Sequence, residues 1–394
     1  MVIKLSTFKS RLKHSPEFDK DTDEFIGGIE RILGAQLSYA DIADYDCDLK
    51  LIFVQTGGSE GLFLENFGKL QEPYYLLTNG SNNSLAASME ILTYLNVRSK
   101  TGEIIHGSAE YIAERIKRLT AINNAKRKLA NARLGVVGKP SDWLISSIPS
   151  YDTVKKVLGV TLVDVPLAEV ETSVNNCALT PEKQSEYPEF DKQELDKALQ
   201  IYAALDGIKN KYRLDGLTIR CFDLLSSLKS TGCLALAELN ARGIIGTCEG
   251  DVAAMLSMLV AKAVTGQSSF QANPSRIDAE NNLVTFAHCT VPLDMVDQYR
   301  FDTHFESGIG VAVKGELHTG RVTVFRISAD LKRYFVSSGT LIQNLDEADL
   351  CRTQAVIQLD KPVTELLKTP CGNHHVIIYG DCADTLAQLM DELL

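Results

Sequence analysis

The chain changes its hydrophobic periodicity near Gly266, and this change limits the possible folds more than any other feature. Before it, apolar runs at residues 51–54 and 74–77 end in polar, glycine-containing turns, and an amphipathic helical segment follows the second run. The order strand, turn, helix is typical of βαβ units, which build parallel sheets. After Gly266, short β-rich runs alternate with turns at residues 283–287, 310–313, 321–327 and 356–359. This second pattern predicts an antiparallel sandwich or barrel.

The length of 394 residues predicts two or three domains. The periodicity before Gly266 predicts the α/β class. We expect two parallel α/β domains, residues 1–133 and 134–268, followed by a mostly antiparallel β domain, residues 269–394. A long helix over residues 108–132 closes the first domain. The remaining predicted elements are helices at 192–209 and 382–394, strands at 217–221, 233–236 and 244–245, and a polar loop at 174–188.

The composition argues against several classes of partner. A net charge of -11 disfavours a broad nucleic-acid surface, and the basic run at 115–133 is typical of the solvent face of a long helix. No apolar run is long enough to cross a membrane. Nine cysteines without a CxxC pair indicate reduced thiols in a cytoplasmic protein. No GxGxxG follows a predicted strand, so we expect no dinucleotide cofactor.

Polar residues around a helix predicted at 252–264 are the candidates for chemistry. Glu249 follows a predicted strand and Asp251 lies at the helix N-terminus, where either acid could also act only as a cap. His288, at the end of a predicted strand, could be a histidine satisfied within the fold. Together with Asn273, these residues offer carboxylate and amide oxygens and an imidazole. Such ligands suit Mn²⁺ or Mg²⁺ better than Zn²⁺, which prefers thiolate and imidazole.

His374 and His375 are adjacent on a predicted strand, so they point to opposite faces. At most one of them can face a given site. We expect the other on a surface or in the core.

Four segments, in this order, resemble the L-fucose isomerase and L-arabinose isomerase superfamily, most closely its short fucose-isomerase-like members. They are residues 248–251, 269–270, 287–292 and 371–376. The resemblance covers the second and third domains and reaches the first through Asn79 and residues 83–85. It implies two Rossmann-like domains and a C-terminal β domain, in agreement with the periodicity.

The resemblance implies a metal-dependent isomerase that interconverts an unidentified aldose and ketose through an enediolate. Glu249 matches a carboxylate that binds the metal, usually Mn²⁺, and carries the proton between C1 and C2. Either His374 or His375 matches the C-terminal metal histidine, and His375, as the second of the pair, is preferred. His288 matches a histidine that contacts the metal in the arabinose branch, and we assign it to the substrate site.

Asn273 departs from the family pattern, because the catalytic members carry a second carboxylate after the helix. An amide oxygen can still ligate a hard cation, but it cannot transfer a proton. Glu249 would then act alone, or Asp251, Asp278 or Asp294 would substitute. The alternative to an isomerase is therefore a catalytically impaired sugar-binding or regulatory homologue.

Members of the superfamily assemble as trimers or hexamers in which a neighbour's first domain covers the active site. The resemblance thus implies a homo-oligomer whose ligand is a small sugar. On this basis Asn79, Asn83 and Glu60 are assigned to substrate binding, where they would act on the Glu249 of a neighbouring copy.

Overall fold

The computed structural model describes residues 1–10, 16–176 and 187–394. Most of the polar loop predicted at residues 174–188 lies outside the described residues. Among the described residues, no helix is both long and apolar enough to cross a membrane. The helices in these ranges are α1 (Pro16–Leu33), α2 (Glu60–Asn66), α3 (Ser84–Val97), α4 (Ala109–Asn131), α5 (Tyr151–Leu158), α6 (Leu167–Asn175), α7 (Lys192–Tyr212), α8 (Asp223–Ser227), α9 (Cys233–Ala241), α10 (Val252–Thr265), α11 (Thr364–Lys368) and α12 (Ala383–Leu393). The strands are β1 (Ile3–Phe8), β2 (Leu37–Tyr39), β3 (Leu49–Val54), β4 (Tyr74–Leu77), β5 (Gly102–Ile105), β6 (Arg133–Val137), β7 (Thr161–Val165), β8 (Gly216–Ile219), β9 (Ile245–Thr247), β10 (Phe270–Asp278), β11 (Leu283–His288), β12 (Val296–Asp302), β13 (Ala312–Leu317), β14 (Gly320–Ile327), β15 (Tyr334–Asn344), β16 (Thr353–Leu359) and β17 (His375–Tyr379).

The first compact unit of the chain, Met1–Asn124, is built on a parallel sheet. Its strand order is β2-β1-β3-β4-β5, and neighbouring strands pair in parallel. β3 and β4 consist entirely of buried residues, as expected for strands that are covered on both faces. The polar turns after β3 and β4 therefore lie together at the carboxyl edge of this sheet.

The second unit, Ala125–Leu394, combines a parallel sheet with a closed antiparallel barrel. The sheet has the order β7-β6-β8-β9, and the barrel has the order β10-β11-β16-β15-β14-β17. β12 and β13 form a separate antiparallel pair. The predicted fold class, parallel α/β structure followed by an antiparallel β domain, is confirmed. The division into two units falls between Asn124 and Ala125, and the three-domain boundaries at residues 133 and 268 remain predictions.

Residues 233–236 form the first turn of α9, so the strand predicted there was wrong. Every residue from Cys233 to Asn240 is buried, which removes the polar face that would reveal a helical period. A short apolar run is compatible with a buried strand or a buried helix, and periodicity alone cannot separate them. α9 lies against α7 and β9, where both of its sides are covered.

The barrel encloses a hydrophobic core to which β10, β11 and β17 contribute. Ala272, Phe286 and Ile377 are almost completely buried in this core. Ala272 pairs with His375 across β10 and β17, so the side chain of His375 points to the same inner side. Because side chains alternate along a strand, His374 points to the outer side.

A buried ion pair joins α10 to the barrel strand β14. Asp251, the N-cap residue of α10, accepts a hydrogen bond from the backbone N–H of Ala254 at 2.8 Å. Both terminal nitrogens of Arg326, on β14, donate to the same carboxylate at 3.2 Å. The side chains of Asp251 and Arg326 have no exposed surface. The pair therefore fixes the start of α10 to the strand β14.

We expect Arg326→Met to lower the free energy of unfolding by about 3–5 kcal/mol, because it leaves the Asp251 carboxylate buried without its cation. Arg321, on the same strand, offers a matched control. Its side chain is 43% exposed and pairs with Asp360 and Asp381 at the surface, so Arg321→Met should change stability by no more than about 1 kcal/mol. Urea unfolding followed by circular dichroism measures both variants, and equal losses would contradict this prediction.

Candidate metal centre

Glu249 lies in a tight turn between β9 and α10 whose backbone is left-handed at two successive residues. Glu249 itself has a φ of 64°, a left-handed conformation that is uncommon for residues with a side chain. Gly250 follows with a φ of 69°, and a Cβ added to it would lie 2.7 Å from the carbonyl oxygen of Lys139. Only glycine fits there. The turn thus fixes the direction in which the Glu249 side chain leaves the backbone.

Three side chains from separate elements converge in front of this turn. Oε1 of Glu249 lies 3.4 Å from Nε2 of His374 and 3.9 Å from Nε2 of His288. His288 ends β11, and His374 immediately precedes β17. The possible ligand atoms of the three residues all lie within 4.8 Å of one another, a spacing at which they could hold one metal ion.

Each histidine is oriented by a hydrogen bond at its other ring nitrogen. Nδ1 of His374 bonds to Oδ2 of Asp251 at 2.8 Å, and Nδ1 of His288 bonds to Oγ1 of Thr290 at 2.9 Å. An ionised carboxylate only accepts hydrogen bonds, so Nδ1 of His374 carries a proton and Nε2 faces Glu249. That buried Nε2 has no hydrogen-bond partner among the described residues. Metal-binding histidines are commonly fixed in this way by an outer partner.

The charges in the centre are strongly coupled. Burial opposes the ionisation of Glu249, but contacts with His288 and His374 outweigh it and hold the pKa of this carboxyl well below its usual range. Burial lowers the pKa of His374, yet its hydrogen bond to Asp251 and the negative charge of Glu249 raise it to about 9. Burial also lowers the pKa of His288. At neutral pH His374 is therefore protonated at both ring nitrogens. The proton on Nε2 lies where a cation would bind, and cation binding would release it.

The chemistry of the donors fits a divalent transition metal. Glu249 supplies an anionic oxygen, and His288 and His374 supply imidazole nitrogens that face it. Imidazole suits Zn, Fe, Ni and Cu, whereas carboxylate oxygen also suits Mn and Mg. The unpartnered Nε2 of His374 is the kind of buried polar atom that a bound ion would satisfy.

Asp251 orients this centre from behind. Burial raises the pKa of Asp251, but the positive charges of Arg326 and His374 outweigh this effect and lower the pKa to about 2. Its oxygens are occupied by hydrogen bonds from Ala254, Arg326 and His374. An acid that is fully buried and bonded in this way is suited to hold His374 in place and poorly suited to exchange a proton with a substrate.

Asn273 lies on β10, opposite Ala287 of β11. The preceding residue, Ala272, points into the barrel, so the side chain of Asn273 points outward, to the side of His374. Gln271 shares this outer side, and its Oε1 accepts a hydrogen bond from the backbone N–H of Cys248 at 2.8 Å. This face of β10 therefore adjoins the turn that carries Glu249.

His375 lies inside the barrel, away from the converging side chains. Its ring centroid lies 5.9 Å from that of Phe286 and 5.6 Å from that of Phe335. Its Nδ1 approaches the backbone oxygen of Asn373 at 3.1 Å, and burial together with the charge of Arg326 lowers its pKa to about 3. The geometry therefore favours His374 over His375 as the metal-facing residue, because the side chain of His375 is packed in the barrel core.

Asn79, Asn83 and Glu60 lie in the first unit, at the carboxyl edge of its sheet. Asn79 follows β4, Asn83 has a left-handed backbone with a φ of 60° before α3, and Glu60 begins α2. The two turns meet where the backbone N–H of Gly57 donates to the carbonyl oxygen of Asn82 at 2.8 Å. The assignment of these residues to substrate binding stays a prediction.

Two further residues contact the acids of this centre and were not predicted from the sequence. Trp143 contacts Glu249, and Arg326 contacts Asp251. Nε1 of Trp143 donates a hydrogen bond to Oε2 of Glu249 at 2.7 Å. Trp143 follows β6, and its position after a parallel strand could have marked it, because ligands gather at the carboxyl ends of such strands. Nothing in the sequence marks Arg326, which reaches Asp251 only because the barrel closes.

No family model matches the chain. The chain is similar to proteins named sulfoquinovose isomerase. It is 26% identical to one from Priestia megaterium over 301 residues, which cover 71% of this chain and 66% of that protein. It is 28% identical to one from Clostridium sp. over 214 residues, which cover 50% of this chain and 47% of that protein. It is 21% identical to one from Alkalicoccus urumqiensis over 334 residues, which cover 78% of this chain and 74% of that protein. The chain thus spans slightly less than two thirds of the length of the Priestia relative.

The adjacent histidines provide a direct test of the metal centre. We expect His374→Gln to abolish binding of one Mn²⁺ per chain, because of the two adjacent histidines only His374 directs its Nε2 at Glu249. His375→Gln should retain the bound ion, since His375 lies in the barrel core. Calorimetric titration of the metal-stripped proteins measures both, with circular dichroism to confirm folding. Loss of Mn²⁺ in the folded His375 variant and retention in the His374 variant would reverse the assignment.

Proposed function

We propose that the protein is a metal-dependent aldose–ketose isomerase of the fucose and arabinose isomerase type, and that its substrate is sulfoquinovose. The observation that carries the proposal is the convergence of Glu249 Oε1 with the Nε2 atoms of His288 and His374. The names of the similar proteins support the reaction class and the sugar. We further propose that the chain forms a homo-oligomer, as the family resemblance implies.

Glu249, His288 and His374 would hold the divalent cation, and we propose Mn²⁺. Two imidazoles beside one carboxylate favour a transition metal over Mg²⁺, which prefers oxygen ligands and retains its waters. A bound divalent cation supplies positive charge that draws electron density from the oxygens of the sugar at C1 and C2.

The proton transfer is assigned to Glu249. Its side chain is 13% exposed, whereas that of Asp251 is fully buried, so Glu249 is the carboxylate of this centre that a sugar could reach. Bound there, the sugar would give its C2 proton to Glu249, which would return it to C1. Asp278 and Asp294, two acids that could substitute for Glu249, make other contacts. Asp278 accepts a hydrogen bond from Asn281 at 2.7 Å, and Asp294 accepts one from Ser268 at 2.8 Å. Because Asn273 cannot carry a proton, Glu249 would serve both transfers.

A second candidate is a sugar-binding protein that has lost turnover. Asn273 favours it, because the resemblance predicts a carboxylate where this chain has an amide. Such a protein would bind the sugar at the same centre without exchanging the C2 proton with solvent.

We expect the Mn²⁺-loaded protein to convert sulfoquinovose to its ketose in D₂O, with deuterium at C1 of the ketose and at C2 of the sulfoquinovose that the reverse reaction returns. Glu249→Gln should lower both rates by about 10²–10⁴-fold, the range typical of a lost general base. Proton NMR follows both processes in one sample. Asp278→Asn and Asp294→Asn are matched controls, because each removes an acid outside the cluster and should leave the rates unchanged.

Two results would reject this assignment. Sulfoquinovose binding without ketose or deuterium incorporation would favour the binding protein. Unchanged rates in Glu249→Gln, with a loss in either control variant, would transfer the proton role to another acid.

A further inference from the structure

The segment between β6 and α5 is anchored tightly around one exposed aromatic side chain. The backbone N–H of Ser141 donates to the carbonyl oxygen of Glu249 at 3.0 Å. Arg220 donates to the carbonyl oxygen of Pro140 at 2.7 Å and to the carboxylate of Asp142 at 2.8 Å. Ser141 has almost no exposed surface, whereas Trp143 is 50% exposed. The backbone under Trp143 is therefore fixed while half of its side chain remains open to solvent.

The two carboxylate oxygens of Glu249 have different partners, and the indole N–H of Trp143 binds one of them. It donates to Oε2 at 2.7 Å, while Oε1 faces His374 and His288. An indole nitrogen donates and never accepts, so Oε2 is the acceptor of this hydrogen bond. Oε1 is the oxygen that faces the two imidazoles, where a cation would bind.

The ring of Trp143 belongs to a row of aromatic side chains. Its centroid lies 4.9 Å from that of Phe222, and the Phe222 ring lies 5.4 Å from that of His304, both in edge-on contact. Burial and the nearby His288 lower the pKa of His304 to about 4, so this ring is neutral near pH 7. The row offers an apolar surface beside an otherwise charged centre, and such surfaces pack against the C–H groups of a sugar ring.

We propose that Trp143 is a positioning residue that holds Oε2 of Glu249 and that its exposed ring forms one wall of the sugar site. The second part of this proposal rests on the proposed sugar isomerase function, and the first part does not. Trp143 couples the two parts, because one rigid side chain contacts both the carboxylate and the substrate.

The first part is tested without metal or sugar. Trp143 is the only tryptophan in the chain, so its fluorescence reports on this position alone. Glu249→Ala should increase acrylamide quenching of the metal-stripped protein, because the indole loses its acceptor. Glu306→Gln, which neutralises an acid whose pKa is raised by burial and by Glu249, is the matched control and should leave the quenching unchanged. Equal quenching in the wild type and Glu249→Ala would overturn the positioning role.

The second part is tested by two variants, one that removes the N–H of Trp143 and one that removes its ring. Trp143→Phe keeps a ring and loses the donor, so kcat for sulfoquinovose should fall by about 10-fold or more, the factor typical of a hydrogen bond to a charged group, with KM nearly unchanged. Trp143→Gln keeps a donor and loses the ring, so KM should rise more than kcat falls. Circular dichroism checks that both variants fold.

The possible results separate this inference from the proposed function. If the wild type neither binds nor converts sulfoquinovose, the sugar wall fails together with the proposed function, while the quenching experiment still decides the contact with Glu249. If the wild type is active and Trp143→Phe and Trp143→Gln change kcat and KM alike, Trp143 has only a structural role and the proposal is wrong.

Discussion

The buried carboxylate of Asp251 is the interaction on which the second unit depends. It caps α10 through Ala254, it neutralises Arg326 from β14, and it fixes the ring of His374 before β17. Helix, barrel and candidate metal centre are thereby tied to one side chain that has no exposed surface. A charge buried this deeply is tolerated only because every neighbour offers a donor. Stability and the geometry of the centre therefore cannot be varied separately at this position.

Charge balance explains why the centre remains poised for a cation. Asp251 and Arg326 offset each other, and Glu249 is left opposite two imidazole nitrogens. Without a metal, the proton on His374 provides the missing positive charge, with a pKa raised to about 9 despite the opposing effect of burial. A divalent cation would bring more charge to the same space and release that proton. The folded chain thus carries its own weak substitute for the ion that it is proposed to bind.

The sequence was sufficient for the fold class because two hydrophobic periods succeed each other along the chain. It also singled out Glu249 and His288, because both stand at strand ends; the structure brings them within 3.9 Å of each other, and their roles stay predictions. It failed at Cys233, where a helix buried on all sides has no period to detect. From the sequence, His375 was preferred to His374 as the metal histidine, whereas the geometry favours His374. Strand alternation puts the two on opposite faces, but it does not choose which face is the barrel core. That choice follows from the pairing of Ala272 with His375, a contact between residues far apart in the chain. Trp143 was missed although it follows a parallel strand; its hydrogen bond to Glu249 joins residues that are 106 positions apart.

The left-handed backbone of Glu249 has a consequence for how this centre would change in evolution. Glycine would relax this conformation, and asparagine tolerates it better than glutamate does. Local backbone preference and chemistry therefore favour different residues at position 249. A change to glycine or asparagine would relieve the backbone at this position, but it would also remove the carboxylate that faces Trp143, His288 and His374. Any substitution of Glu249 therefore sets a local gain in backbone freedom against the loss of the centre.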